Sequence, residues 1–373
     1  MQRSLRTVAR MTRRAFSHMA LPIVERRAAP HRFSGELIAA IAEGRRRRIS
    51  APVIDDWRFP DFRPARYDPF VAWRMIRFIS SRETDLNRVA GWYESDDSRM
   101  LLKSLFAYRA LGPSHVQLPK SSSLLDRYRK ARQMKVGEGG DLFPPFELAL
   151  YDVAFNGSNI ELECWLGNVV CSFLDGQYYF QGPQIEIAPR LGDIVVDAGA
   201  CFGDTALAFA TSVGAAGSVH SFEPIPRQIE VFRRNIRRNL TLSDRVQLHC
   251  YALSDIAGRK LRFSNGGAGA QANSAGAVEV ETTSIDTLID QGVIPRVDFI
   301  KMDIEGAELA ALKGASESIQ KFKPRLAISL YHRLSDFIDI PSEIRRLHPE
   351  YRFYLGHHSV HQEETILYAS AEK

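Results

Sequence analysis

A chain of 373 residues with 45% hydrophobic and 25% charged side chains is long for one domain and apolar enough to bury a core, which excludes a mainly disordered protein. Its net charge of +5 comes from an arginine-crowded beginning, where Arg3, Arg6, Arg10, Arg13, Arg14, Arg26, Arg27, Arg32 and the run Arg45 to Arg48 face only Glu25, Glu36 and Glu43. The remainder is near neutral, so the body carries no basic groove of the kind nucleic acids select, and no nucleic-acid partner is expected.

Residues 1–32 read as an arginine-rich tail, expected to be disordered; its start, free of acidic residues, also has the texture of a mitochondrial presequence. No apolar run approaches the roughly 18 residues a membrane helix needs, so no membrane span is expected. The four cysteines, Cys164, Cys171, Cys201 and Cys250, lack metal-type spacing and suit reduced thiols, with the cytoplasm as the expected compartment.

From 33 to 145 the expectation is a partly helical region. The spacing of Leu37, Ile38 and Ile41 predicts a helix over 34–48, and that of Met100, Leu101, Leu105 and Tyr108 predicts one over 96–111, stopped by Gly112 and Pro113. Residues 146–190 turn to short apolar runs punctuated by Asn156, Gly157, Gly167, Asp175 and Gly176, a strand-rich bridge or cover. The segment "SNGGAGAQANSAGA", 264–277, reads as a loop, either a lid over an acceptor or a passive insertion.

After Leu191 buried-strand runs alternate with helical stretches, the pattern of a doubly wound α/β sheet. Predicted strands are "DIVVD", "SVHSFEP", "RVQLHCYALSD", "VDFIKMD", "RLAISLYH", "YRFYLGHH" and "ETILYAS"; predicted helices run over 204–212, 227–239, 308–319 and 335–347. Ligands of such sheets bind beyond the carboxyl ends of the strands, where strand order reverses, so the residues after each run are the candidates.

The first strand ends in "VDAGACFGDT", with Gly199 and Gly203 for a tight turn and Asp197 and Asp204 bracketing it. Glycines four apart do not make a dinucleotide fingerprint, and the two acids disfavour a pyrophosphate at the helix start. Carboxylates suit a cationic nucleoside cofactor such as S-adenosylmethionine, and Glu223 of "SFEP" lies where a ribose-binding acid belongs. Leu253 and Ser254 of "YALSD" are candidates for the adenine edge. In "FIKMDIEGAE", Asp303 falls at the mouth of the fourth strand, Glu305 and Gly306 form the turn beyond it, and Glu308 opens the next helix as a structural residue. Lys301 either offsets this negative charge or lies on the opposite face. His332, directly after the fifth strand, and Asp303 are alternative general bases. His357, His358 and His361 have no acidic partner nameable from sequence, and no metal is assigned to them.

These motifs, with "RLAISLYHR" and "YLGHHSVHQEETILYA" in the same order, resemble the FkbM-type family of S-adenosylmethionine-dependent methyltransferases over 191–370. The resemblance implies a class I methyltransferase (Rossmann-like) domain over 191–373, a seven-stranded sheet with its last strand antiparallel, and methyl transfer to an oxygen, often of a sugar or natural product. The strand-end positions make Asp303, His332 and Glu305 the catalytic candidates, and Asp197, Gly199, Gly203, Asp204, Glu223, Leu253, Ser254 and Asp303 the candidate cofactor contacts. The stretch "SDDSRMLLKSLFAYRALG" resembles a helix that precedes the catalytic domain in some members. The expected acceptor is a glycan or small metabolite. The alternatives are an RNA methyltransferase, a cofactor-binding scaffold without catalysis and a nicotinamide-dependent dehydrogenase.

Overall fold

The computed structural model describes residues 32–55, 67–119, 121–143, 146–263 and 276–372. The beginning of the chain and the glycine-rich 264–275 lie outside the described residues, and so do the expectations attached to them. The described residues fall into two compact units, one reaching to 123 and including Ser359–Glu363, the other comprising Leu124–His358 and Glu364–Lys373.

The first unit is helical: α1 (Phe33–Gly44), α2 (Pro69–Ser81), α3 (Glu83–Ala90) and α4 (Asp96–Leu111). Leu37, Ile38 and Ile41 of α1 are buried as their spacing predicts. Asp68 caps α2 by accepting from the Phe70 amide, and Ser95 caps α4 by accepting from the Ser98 amide. The α4 stripe is shifted from the expected one. Leu102, Leu105 and Phe106 are buried, whereas Met100 is 52% exposed, because the helix turns the row 98, 102, 105 inward. In the same unit His361 bonds the Tyr108 hydroxyl through Nδ1 at 2.8 Å and accepts from the Asp55 amide at 3.2 Å.

The helix α5 (Ser121–Gln133) leads into an antiparallel sheet of β1 (Lys135–Phe143), β2 (Phe146–Phe155) and β3 (Ser158–Cys164). Strands therefore begin at Lys135, ahead of the strand texture read from Phe146. Asn156 and Gly157 take φ of 47° and 77°, as a two-residue hairpin turn requires. The short α6 (Leu166–Asn168) continues into a π-helical turn, Val169–Leu174, followed by the small strands β4 (Phe180–Gln181) and β5 (Glu186–Ile187).

The main sheet then forms from β6 (Ile194–Ala198), β7 (Ser218–Phe222), β8 (Val246–His249), β12 (Phe299–Met302), β13 (Arg325–Ser329), β14 (Arg352–His357) and β15 (Thr365–Ser370). Between them come α7 (Asp204–Val213), α8 (Pro226–Arg238), α9 (Leu240–Ser243), the small sheet of β9 (Ala252–Leu253), β10 (Lys260–Phe263) and β11 (Val278–Thr283), α10 (Ile285–Asp290), α11 (Glu308–Lys313), α12 (Ser316–Phe322) and α13 (Asp336–Leu347). Strand order is β14-β15-β13-β12-β6-β7-β8, and the last strand, β15, is antiparallel to both neighbours. Every residue of β6, β12, β13 and β15 is buried, which is why these runs are mainly apolar without a polar alternation. The order reverses between β6 and β12, so their carboxyl ends define the crevice.

Two predicted elements are corrected. The run "RVQLHCYALSD" is not one strand: β8 stops at His249, and Ala252–Leu253 pair in the small sheet with β11. The helix expected over 308–319 breaks at Gly314, where a Cβ would lie 2.1 Å from the Ser254 carbonyl oxygen. It restarts because Asp286 accepts from the amides of Glu317 and Ser318 at 3.0 and 2.9 Å, a cap supplied from α10.

On β7 and β8, His220 stacks on His249, with Nδ1 and Nε2 3.1 Å apart. Burial, then the neighbouring imidazole, lowers His220 to about 4. The unfolded chain binds a proton there below about 6.5 while the folded chain refuses it down to about 4, so stability is complete above the higher value and is lost as pH falls. His220→Gln is expected to shrink the loss of unfolding free energy between pH 7 and 5 by about 2 kcal/mol, measured by urea titration at both pH values.

Candidate functional site

The chain reaches the crevice through a sharp turn after β6. Gly199 has φ of 79°, and a Cβ there would lie 2.0 Å from the Asp303 carbonyl oxygen, so only glycine lets the β6 turn touch the end of β12. Gly203 has φ of 86° and is the residue before α7, where a Cβ would meet the Phe232 ring at 2.9 Å. The turn is held from outside by Asn235 of α8, which is fully buried. Its amide nitrogen donates to the carbonyls of Phe202 and Glu163, and its oxygen accepts from the Glu163 amide, tying β3 to the glycine turn.

Asp197 and Lys301 face one another across β6 and β12 as register partners, with Ser221 next in the row on β7. Both are buried, and Lys301 Nζ lies 3.1 Å from Asp197 Oδ1 while donating to the carbonyls of Ala198 and Gly199 at 3.1 and 2.7 Å. Thr205 donates to Asp197 Oδ2 at 2.8 Å. Burial acts to lower the Lys301 ammonium, but Asp197 and Asp303 outweigh it and the value ends raised. The lysine thus lies on the face of the glycine turn. Asp204 is the first residue of α7 and its carboxylate accepts from the Ser172 hydroxyl at 2.5 Å; burial raises its pKa.

Glu223 follows β7 and closes the turn from the other side. Its oxygens accept from the amides of Cys201 at 3.0 Å and Ile225 at 2.8 Å, and burial pushes the carboxyl up to about 8. Ala252 clusters with Ile225, which brings the short β9, and with it Leu253, beside the Glu223 loop. The Leu253 side chain is buried, the Ser254 amide donates to the Thr283 carbonyl at 2.9 Å, and the Ser254 hydroxyl donates to Asp255 at 3.0 Å.

The second half of the site gathers at the ends of β12 and β13. Asp303 accepts from the hydroxyls of Tyr178 and Tyr331, each at 2.9 Å, and its Oδ1 lies 3.4 Å from His332 Nε2. His332 Nε2 also lies 3.5 Å from Glu305 Oε2, and its Nδ1 lies 3.0 Å from Glu308 Oε1, which accepts from the Ile304 amide. Glu305 and Gly306 take φ of 56° and 93°, the turn expected between strand and helix. Burial would raise Asp303, but His332 and Lys301 outweigh it and hold the carboxyl below its ordinary value. Burial lifts Glu305 to about 7. For His332 burial works to lower the value, yet Glu308, Asp303 and Glu305 prevail and raise it to about 9.

The structure brings together Asp303, Glu305 and His332 in one cluster, and Asp197, Gly199 and Glu223 in the adjoining turn. Tyr178 and Tyr331 were absent from the sequence reading. Tyr331 stands at a strand end and the strand-end rule reaches it; Tyr178 arrives from a loop with no local signal. His357 bonds Thr365 at 2.9 Å, and His358 contacts Asp175 and the Tyr368 hydroxyl, so these two histidines serve the packing of the terminal strands.

Strand order and the cluster at the reversal point define a class I methyltransferase fold. Residues 197–359 match the methyltransferase FkbM domain, and the resemblance read from the motifs is borne out. The chain is 28% identical over 132 residues to the hexuronic acid methyltransferase AglP of Haloferax volcanii, a match that spans 34% of this chain and 52% of that protein. Its fold is similar to that of a methyltransferase FkbM from Methylobacillus flagellatus KT, with a TM-score of 0.51 and 20% identity over 79% of this chain and 60% of the other. The chain thus spans about half the length of the curated relative it matches.

Proposed function

We propose that this protein is an S-adenosylmethionine-dependent methyltransferase acting on a hydroxyl of a saccharide or related small metabolite. The observation that carries the reading is the contact between the two halves of the crevice, where the backbone of Gly199 meets that of Asp303. A nucleoside held at the glycine turn is thereby adjacent to the group of polar side chains after β12 and β13. The similarity to a hexuronic acid methyltransferase supports a glycan-like acceptor.

The residues fit the cofactor. Glu223 holds the glycine turn from the end of β7 by accepting from the Cys201 amide, the place a ribose-binding acid takes after the second strand. Leu253 and Ser254, beside the Glu223 loop, are assigned to the adenine edge. Asp197, fully buried on Thr205 and Lys301, acts as a positioning residue for the turn, and Asp204, with Gly203, sets the start of α7.

Bound there, S-adenosylmethionine supplies a methyl group on a cationic sulfur. The protein's share is to align the acceptor oxygen with the carbon–sulfur bond and to receive a proton. On methyl transfer from a donor held there, the acceptor hydroxyl would give up its proton to the group formed by Asp303, Glu305 and His332.

Calorimetry with the full chain should record binding of S-adenosylmethionine and none of NAD; the reverse pattern would remove the proposal. Glu223→Gln is expected to weaken cofactor binding about tenfold, because its amide nitrogen cannot accept from both the Cys201 and Ile225 amides that hold the turn. Transfer of labelled methyl to a panel of neutral and acidic saccharides identifies the acceptor.

A further inference from the structure

The cluster beyond β12 and β13 contains more unsatisfied polarity than proton transfer requires. The His332 side chain is 5% exposed, yet neither ring nitrogen makes a hydrogen bond, although carboxylate oxygens lie 3.0, 3.4 and 3.5 Å away. Glu308 is 1% exposed, and its Oε2 has no hydrogen-bond partner either. Buried polar atoms are nearly always hydrogen-bonded, and a ring held only by its carboxylate neighbours would turn its N–H bonds toward them. Three unpartnered atoms on two neighbouring side chains call for a further ligand.

We propose that Asp303, Glu308 and His332 bind a divalent first-row transition-metal ion such as Mn2+, with Glu305 at the open side. One ligand atom from each of the three lies within 4.8 Å of the others. An ion with bonds of about 2.1 Å needs its ligand atoms about 3 to 4 Å apart, so only small side-chain adjustments close the site. One imidazole with carboxylates favours a transition ion over Mg2+. The outer supports are already built: Tyr178 and Tyr331 donate to Asp303, and the Ile304 amide donates to Glu308. At the ends of β12 and β13 the ion polarises the acceptor hydroxyl for the transfer described above, a role that rests on that reading, while the ion site itself does not.

The test is calorimetric titration of the full chain with MnCl2 after chelator treatment and dialysis, alongside MgCl2. Expected are saturable binding of one Mn2+ per chain, weaker Mg2+ binding, and a loss of at least about tenfold in Mn2+ affinity in both Glu308→Gln and His332→Ala. Absence of saturable Mn2+ binding, or affinity unchanged in both variants, overturns the proposal. Should either variant fail to fold, paramagnetic resonance of the wild-type protein decides: loss of the free Mn2+ signal up to one equivalent supports the site, and persistence of the signal removes it. S-adenosylmethionine titrated separately keeps the two readings apart, because Mn2+ binding without cofactor binding sinks the methyltransferase reading and leaves the ion site standing.

Discussion

Asp303→Asn is expected to lower kcat by about 10²- to 10⁴-fold while leaving affinity for S-adenosylmethionine within a few-fold. The side chain sits where the two strand ends meet, with a tyrosine hydroxyl on each oxygen at 2.9 Å and His332 Nε2 at 3.4 Å. Asparagine keeps the shape and can still bond both tyrosines, so packing and the glycine turn survive. What it removes is the negative charge proposed above to take an acceptor's proton or to hold a cation. Steady-state kinetics and calorimetry on one preparation separate the two quantities. A variant retaining more than about a tenth of wild-type turnover would take Asp303 out of the chemistry.

Lys301→Met is expected to cost about 3 to 5 kcal/mol of folding stability, the usual penalty for removing one partner of a buried ion pair. Lys301 and Asp197 are 1% and 0% exposed, and the ammonium also donates to two carbonyls of the glycine turn. Methionine fills the volume but leaves the Asp197 charge buried with only its hydroxyl donors. The double variant Asp197→Asn with Lys301→Met should recover part of the loss, because the stranded charge goes with it. Urea unfolding of both proteins measures this, and a single-variant loss below about 1 kcal/mol would show that the pair does not lock the turn.

Much of the site was legible because its residues lie at strand ends. Asp197, Glu223, Asp303 and His332 each lie at or just past the carboxyl end of a mostly buried strand, and a parallel sheet forces all such positions to one edge. The turn at Gly306 was legible because a strand running into acidic helix-start residues needs a tight bend. Tyr178 was not, because it enters from the loop after the π-helical turn, and no periodicity marks a loop residue for the crevice. The division of "RVQLHCYALSD" between two sheets was likewise invisible, since both parts are apolar and local pattern does not name a strand's partner.

The amino-acid sequence alone determined the alternation of strands and helices, the glycines at positive φ and the charged residues that follow each strand, because period, backbone sterics and buried length are local properties. Tertiary structure decided how those charges are spent. It paired Asp197 with Lys301 across two strands, turned Asp204 onto Ser172, and set His332 among three carboxylates drawn from another strand end. The physical reason is that a charge in a low-dielectric interior takes its meaning from neighbours a few ångströms away, and those neighbours are set by strand order and not by distance along the chain.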